Sequence, residues 1–264
     1  MKKIPVLIIS TAGSEHLYDK VAADVSGIGP FEPIKIEGLL GQLIPSVACI
    51  NLTRDLNSPN NKGTLGCFLA HVRAWEVIEN SDCDFAVVLE DDVACTNMDL
   101  LVHSQLPHDA DIVFCTPQTE LKGSISEAHF ENRELAFHRI ANSIPQIDCA
   151  TRAPGGYCYL LTPQGAGKLI RAVRDDLYFG HIDVRMFAYC IKESDLNSKN
   201  EPGNFSRALR NILNHTKRSN YLIGYSSLPS LARHQFRLSG RRTEQDNLGR
   251  SDLYPRTSDN RSVR

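Results

Sequence analysis

The sequence predicts an α/β fold with a largely parallel sheet and helices against its faces. Two observations carry this. Six short runs rich in Val, Ile and Tyr are continuously apolar rather than alternating, as strands covered on both faces are. Between several of them, apolar residues recur at three- and four-residue spacing, as on the buried stripe of a helix. Strands that alternate with helices pair in parallel through crossover connections.

The strand-like runs are IPVLIIS (4–10), SVACIN (46–51), FAVVLE (85–90), DIVFC (111–115), GYCYLL (156–161) and YLIGY (221–225). The start MKKIPVLIISTAG has the outline of a signal peptide, but Pro5 interrupts a short apolar run and no A-x-A-like site follows. It reads as the first strand. In TLGCFLAHVRAWEVIEN, Leu65, Phe68, Leu69, Val72 and Trp75 form one helical stripe. TPQGAGKLIRAVRDD offers Thr162 as N-cap, Pro163 at the first helical position and a stripe of Ala166, Leu169, Ile170 and Val173. NSKNEPGNFSRALRN (197–211) reads as a loop or linker.

At 264 residues the chain can bury a substantial core, and its 42% hydrophobic and 23% charged residues are ordinary for a globular protein. The formal charge of −2 hides an asymmetry. Twelve Lys/Arg against four Asp/Glu from Arg207 to Arg264 leave +8 there and −10 elsewhere. A basic C-terminal region suits an anionic partner such as phosphate groups or a membrane surface. Its last part, SDLYPRTSDNRSVR, also fits a solvated tail. Nucleic acid is not expected, because the basic residues lack interleaved aromatics and a recognisable motif. The eight cysteines stand singly, with no CxxC pair, and read as reduced thiols in a reducing compartment. No apolar stretch is long enough to span a membrane. A cytoplasmic protein is expected, one that could touch a membrane surface from that side.

The most apolar run ends in three carboxylates, Glu90, Asp91 and Asp92. Adjacent like charges repel and are costly to desolvate. In open α/β sheets, ligands bind beyond the carboxyl ends of strands. A divalent cation such as Mn²⁺ or Mg²⁺, which takes one or two carboxylates plus substrate phosphate oxygens, would make the cluster tolerable. A solvated acidic turn is the other reading of the same residues.

The block GTLGCFLAHVRAWEVIENSDCDFAVVLEDDV resembles the central signature of glycosyltransferase family 25: a Gly-x-x-x-Ser/Ala-His helix with a Trp, then an apolar strand and Glu-Asp-Asp. Gly66, Ala70, His71, Trp75 and the triplet match it. APGGYCYLLTPQGAGKLI, HIDVRM and LARHQFRLSG resemble later motifs, so the likeness spans roughly residues 4 to 240. Three departures are Ala70, where the family often has Ser before the motif His, Ala153, where its strand motif begins with Gly, and STAGSEHLYDK, which lacks the Arg usual after the first strand.

The resemblance implies a glycosyltransferase A type fold, with a Rossmann-like sheet that binds a UDP-sugar and an acidic motif that holds Mn²⁺ or Mg²⁺ on the diphosphate. The catalytic domain would cover residues 1–240, with a polar basic tail over 241–264. Asp92 is the expected metal ligand, with Asp91 supporting it and His234 supplied by the C-terminal segment. Glu90, His71, Gly155, Gly156 and Arg237 are expected to serve donor binding. Arg233, Arg241 and Arg242 are further candidates to offset diphosphate charge.

Inverting displacement needs a general base on the acceptor hydroxyl. Asp183, in GHIDVRM, is the candidate, although the same residue could simply cap a helix. His71 could orient the acidic loop, touch the donor or make a structural hydrogen bond. The expected reaction is metal-dependent transfer of a hexose, galactose first, from a UDP-sugar to a lipopolysaccharide or lipooligosaccharide acceptor. The alternatives are a glycosidase, which needs two carboxylates across a sugar, and a nucleotide-sugar or glycan-binding protein without turnover.

Overall fold

A computed structural model describes residues 2–53, 62–117, 134–143, 155–176, 181–192, 194 and 204–235. Its strands are β1 (Ile4–Thr11), β2 (Phe31–Gly38), β3 (Ala86–Glu90), β4 (Val93–Cys95), β5 (Ile112–Phe114), β6 (Ala136–Arg139), β7 (Cys158–Leu161), β8 (Gly224–Leu228) and β9 (Ala232–His234). The α-helices are α1 (Glu15–Ser26), α2 (Ser46–Thr53), α3 (Lys62–Glu79), α4 (Ile140–Ser143), α5 (Pro163–Asp175), α6 (Ile182–Ala188) and α7 (Asn204–Thr216).

Seven strands form one sheet in the order β2-β1-β3-β7-β5-β8-β6. Five run in the same direction, while β7 and β6 run against their neighbours. The expected α/β class is present, as a mostly parallel sheet.

Strand alternation divides the core in two. Leu7 and Ile9 of β1, Ala86 and Val88 of β3, and Tyr159 and Leu161 of β7 join one cluster with residues of α3, α5, α6 and α7. Val6 and Ile8, Val87 and Leu89, and Cys158 and Leu160 join the other, with Val21 and Val25 of α1. Both faces are covered, which explains why these strands are apolar throughout. Each fully buried Val or Leu contributes about 1.5–3 kcal/mol.

Helix α5 begins as expected. The Thr162 hydroxyl accepts the Gly165 N–H at 3.1 Å, and Pro163 takes the first position, where its missing N–H costs nothing. Beyond α5, the fully buried Arg185 ties α6 down. Its Nε donates to the Tyr189 hydroxyl at 2.6 Å, and one Nη donates to the carbonyls of Ala172 and Asp176. Arg218 donates to the Asp176 carboxylate at 2.6 Å, so a charge-balanced network joins the end of α5 to α6 and the residue run after α7. Burial raises the Tyr189 phenol to about 12.

Three expectations are corrected. SVACIN is not a strand but lies in α2, where only Cys49 among residues 46–49 is fully buried; a short apolar run has no period that separates strand from helix. In YLIGY only Gly224 and Tyr225 enter β8. The N–H groups of Leu222 and Ile223 go instead to the Tyr189 carbonyl and the Asp111 carboxylate. Within 197–211, the residues from Asn204 onward are helix α7, driven by the buried stripe Leu209, Ile212 and Leu213; residues 197–203 lie outside the described ones.

Candidate active site

Glu90 is the last residue of β3, and Asp91 and Asp92 form the turn into β4. Three backbone bonds fix the path of the turn. Glu90 N–H donates to the Tyr157 carbonyl, Asp91 N–H to the Ile9 carbonyl, and the Asp92 carbonyl accepts from Gln235 N–H at 2.7 Å.

Strands β4 and β9 pair antiparallel in a small separate ribbon, with Val93 opposite His234. This ribbon brings the C-terminal histidine to the acidic turn. His234 Nε2 lies 3.3 Å from Asp92 Oδ2, and its ring packs edge-on against Tyr157 with centroids 5.1 Å apart. Donor atoms of Glu90, Asp92 and His234 all lie within 4.8 Å of one another.

Two carboxylates and an imidazole suit Mn²⁺ and, less selectively, Mg²⁺. Adjacent donors around an octahedral ion at about 2.1 Å sit roughly 3.0 Å apart, close to the Asp92–His234 spacing. The donor set therefore fits a divalent cation, with positions left for phosphate oxygens.

Asp91 stands outside this trio. Its carboxyl is raised above the usual carboxylate range by burial first and by the Glu90 charge, against a lowering bond from the Ser10 hydroxyl. Its Oδ2 is buried with no hydrogen-bond partner among the described residues.

By strand alternation Glu90 points to the α3 side of the sheet, toward His71. His71 is completely buried, with Nε2 3.4 Å from Glu90 Oε1 and Nδ1 2.9 Å from the Tyr159 hydroxyl. Trp75 Nε1–H donates to that hydroxyl at 2.8 Å. Cys67, His71 and Trp75 follow one another at four-residue spacing, so α3 turns all three to the same side. Cys67 Sγ is 4.0 Å from Glu90 Oε1.

Glu90 also lines an open cleft with Thr64, Cys67, Gly156, His181, Ile182 and Asp183. Asp183 sits in the first turn of α6, and its Oδ1 accepts the Val184 N–H at 2.8 Å. It thus satisfies a helix amide and lines the cleft. Gly156 makes this placement possible: a Cβ there would lie 3.1 Å from the Asp183 Cβ. At Gly155 a Cβ would meet the Tyr157 ring instead. Arg233 is exposed. Arg237, Arg241 and Arg242 lie outside the described residues.

Tyr159, Thr64, Cys67 and His181 were not singled out in the sequence. The four-residue spacing of Cys67, His71 and Trp75 was the available signal on α3; Tyr159 was hidden inside an apolar strand run.

The model of glycosyltransferase family 25, described as LPS biosynthesis protein, matches residues 53–186, just over half of the chain. The chain belongs to glycosyltransferase family 25. The match contains α3, the acidic turn, β7 and Asp183. No curated protein matches the family 25 chain. Among solved structures, it is similar to the galactosyltransferase LgtC in complex with donor and acceptor sugar analogues, at 11% identity over 96% of this chain and 98% of that one, with a TM-score of 0.38. It is also similar to the glycosyltransferase GlyE of Streptococcus pneumoniae (10% identity, 89% and 55% coverage, TM-score 0.38). A third is the bifunctional glycosyltransferase WbbM (9% identity, 88% and 45% coverage, TM-score 0.40). The mostly parallel α/β sheet expected for the family 25 chain is present, covered on both faces, with the acidic turn beyond β3. None of the described helices is long and apolar enough to cross a membrane.

Proposed function

We propose that this family 25 glycosyltransferase is a metal-dependent, inverting enzyme that moves a hexose, galactose first, from a UDP-sugar to a lipopolysaccharide or lipooligosaccharide acceptor. The observation that carries this reading is the double membership of Glu90. It belongs to the cation-compatible trio with Asp92 and His234 and also lines the cleft that contains Asp183.

Mn²⁺ or Mg²⁺ at that trio would act as a Lewis acid toward the donor diphosphate and stabilise charge on departing UDP. Asp92 and His234 would hold that cation, and Glu90 would join it to the cleft. Asp183 accepts the proton of the acceptor hydroxyl as that oxygen bonds to the anomeric carbon. The bond from that carbon to the UDP oxygen breaks on the opposite face, and the sugar inverts. Gly156 sets the distance between Asp183 and β7.

The seven described cysteines form no disulfide with one another, in keeping with a reducing, cytoplasmic setting. The acceptor's lipid would place the protein at the inner membrane face, where a basic C-terminal region suits anionic headgroups.

The test is UDP release across a panel of UDP-sugars, with and without Mn²⁺, Mg²⁺ and EDTA, using a truncated-core glycan as acceptor. The proposal expects metal-stimulated, acceptor-dependent UDP release with one preferred UDP-hexose. Full activity in EDTA would remove the metal role. Binding of UDP-sugar without transfer, or release of sugar without nucleotide, would replace the transferase reading.

A further inference from the structure

We propose that Tyr159 is a positioning residue: acting through His71, it fixes the Nε2–H tautomer that holds the Glu90 carboxylate at the junction of cation trio and cleft. The inference rests on the cation reading above, and it follows from counting protons along a buried chain.

Trp75 Nε1 can only donate, and it donates to the Tyr159 oxygen at 2.8 Å. The Tyr159 hydroxyl is fully buried, and burial pushes its pKa well above the ordinary phenol range, so it keeps its proton. That proton needs an acceptor, and His71 Nδ1, 2.9 Å away, is the remaining partner of the hydroxyl. Nδ1 therefore carries a lone pair. The single proton of the neutral imidazole sits on Nε2, which faces Glu90 Oε1 at 3.4 Å. Each step has one polarity, set by an indole that cannot accept.

This bears on a second possible cation group. Cys67, His71 and Glu90 also bring donor atoms within 4.8 Å of one another. A cation there would need the Nε2 lone pair, which moves the proton to Nδ1 and leaves the Tyr159 O–H without an acceptor. An unmade buried hydrogen bond costs about 1–3 kcal/mol. The relay therefore reserves Glu90 for the group that it shares with Asp92 and His234.

The tautomer is read by NMR of the full chain carrying ¹⁵N-histidine. The wild type is expected to show His71 as Nε2–H, and Tyr159→Phe to lose that preference. Manganese affinity by calorimetry gives the second arm. His71→Gln, whose amide nitrogen reaches the Nε2 position, keeps affinity within about threefold. His71→Asn, which reaches only Nδ1, weakens it about 10–100-fold, as loss of a group orienting a ligand does. An Nδ1–H tautomer in the wild type, or equal affinities for the Gln and Asn variants, overturns the proposal. If the wild type shows the Nε2–H signature and Tyr159→Phe loses it while Mn²⁺ does not bind at all, the relay stands and the cation reading falls.

Discussion

His234 Nε2 stands 3.3 Å from Asp92 Oδ2, although the two residues lie far apart in the sequence. What joins them is a pair of three-residue strands, β4 and β9, whose ladder continues the acidic turn and sets Val93 opposite His234. Asp92 and His234 of the proposed cation trio therefore meet through a ribbon outside the main sheet. The third member, Glu90, is built on the sheet itself. A ligand that spans all three would couple the C-terminal segment to β3.

Removing the carboxylate charge at Asp183 should separate binding from chemistry. In Asp183→Asn, donor binding by calorimetry is expected to stay near wild type while turnover falls about 10²–10⁴-fold, the range for loss of a general base. Unchanged turnover would remove Asp183 from the reaction.

A methyl group at Gly156 tests how tightly Asp183 is placed. The new Cβ would lie 3.1 Å from the Asp183 Cβ, so α6 must shift by a few tenths of an ångström. Misplacement on this scale by Gly156→Ala is expected to lower turnover roughly tenfold, with the melting temperature almost unchanged. Wild-type turnover in this variant would show that the contact does not position the base.

Asp91 is expected to cost stability at neutral pH. Its folded-state carboxyl holds a proton to higher pH than the unfolded one, because burial disfavours the anion. In the window above the unfolded value the native state binds more protons, so its contribution to stability falls as pH rises. Asp91→Asn should therefore raise the melting temperature at neutral pH and flatten this decline. A lower melting temperature with unchanged pH dependence would contradict the burial cost.

The glycine of the central motif answers to packing. A Cβ at Gly66 would lie 2.3 Å from the Leu39 carbonyl oxygen. Gly66→Ala is expected to destabilise the fold by at least about 1–3 kcal/mol, the range for overpacking, as read from denaturant midpoints. Wild-type stability would show that the 39–41 segment yields freely.

Much of the fold was legible because β1, β3 and β7 are covered on both sides and write that burial as continuous apolar runs. Edge strand β2 was not, since Glu32, Lys35 and Glu37 interrupt its pattern. Strands β4 and β9 are too short to carry any period. SVACIN misled because an apolar run of that length suits either a helix or a strand.

The site was legible where unusual chemistry shows in one dimension, as in Glu90-Asp91-Asp92. Which carboxylates share a donor group depends on strand alternation, and that turned Glu90 toward His71. Tyr159 was invisible because its role rests on a hydroxyl meeting two side chains of α3, a relation no local spacing records.

Manganese binding to the intact chain, followed by calorimetry in the wild type, Asp92→Ala and His234→Ala, tests whether the trio holds a cation. Saturable binding of one Mn²⁺ is expected in the wild type, with affinity lost in Asp92→Ala and clearly weakened in His234→Ala. Wild-type affinity in both variants would contradict it.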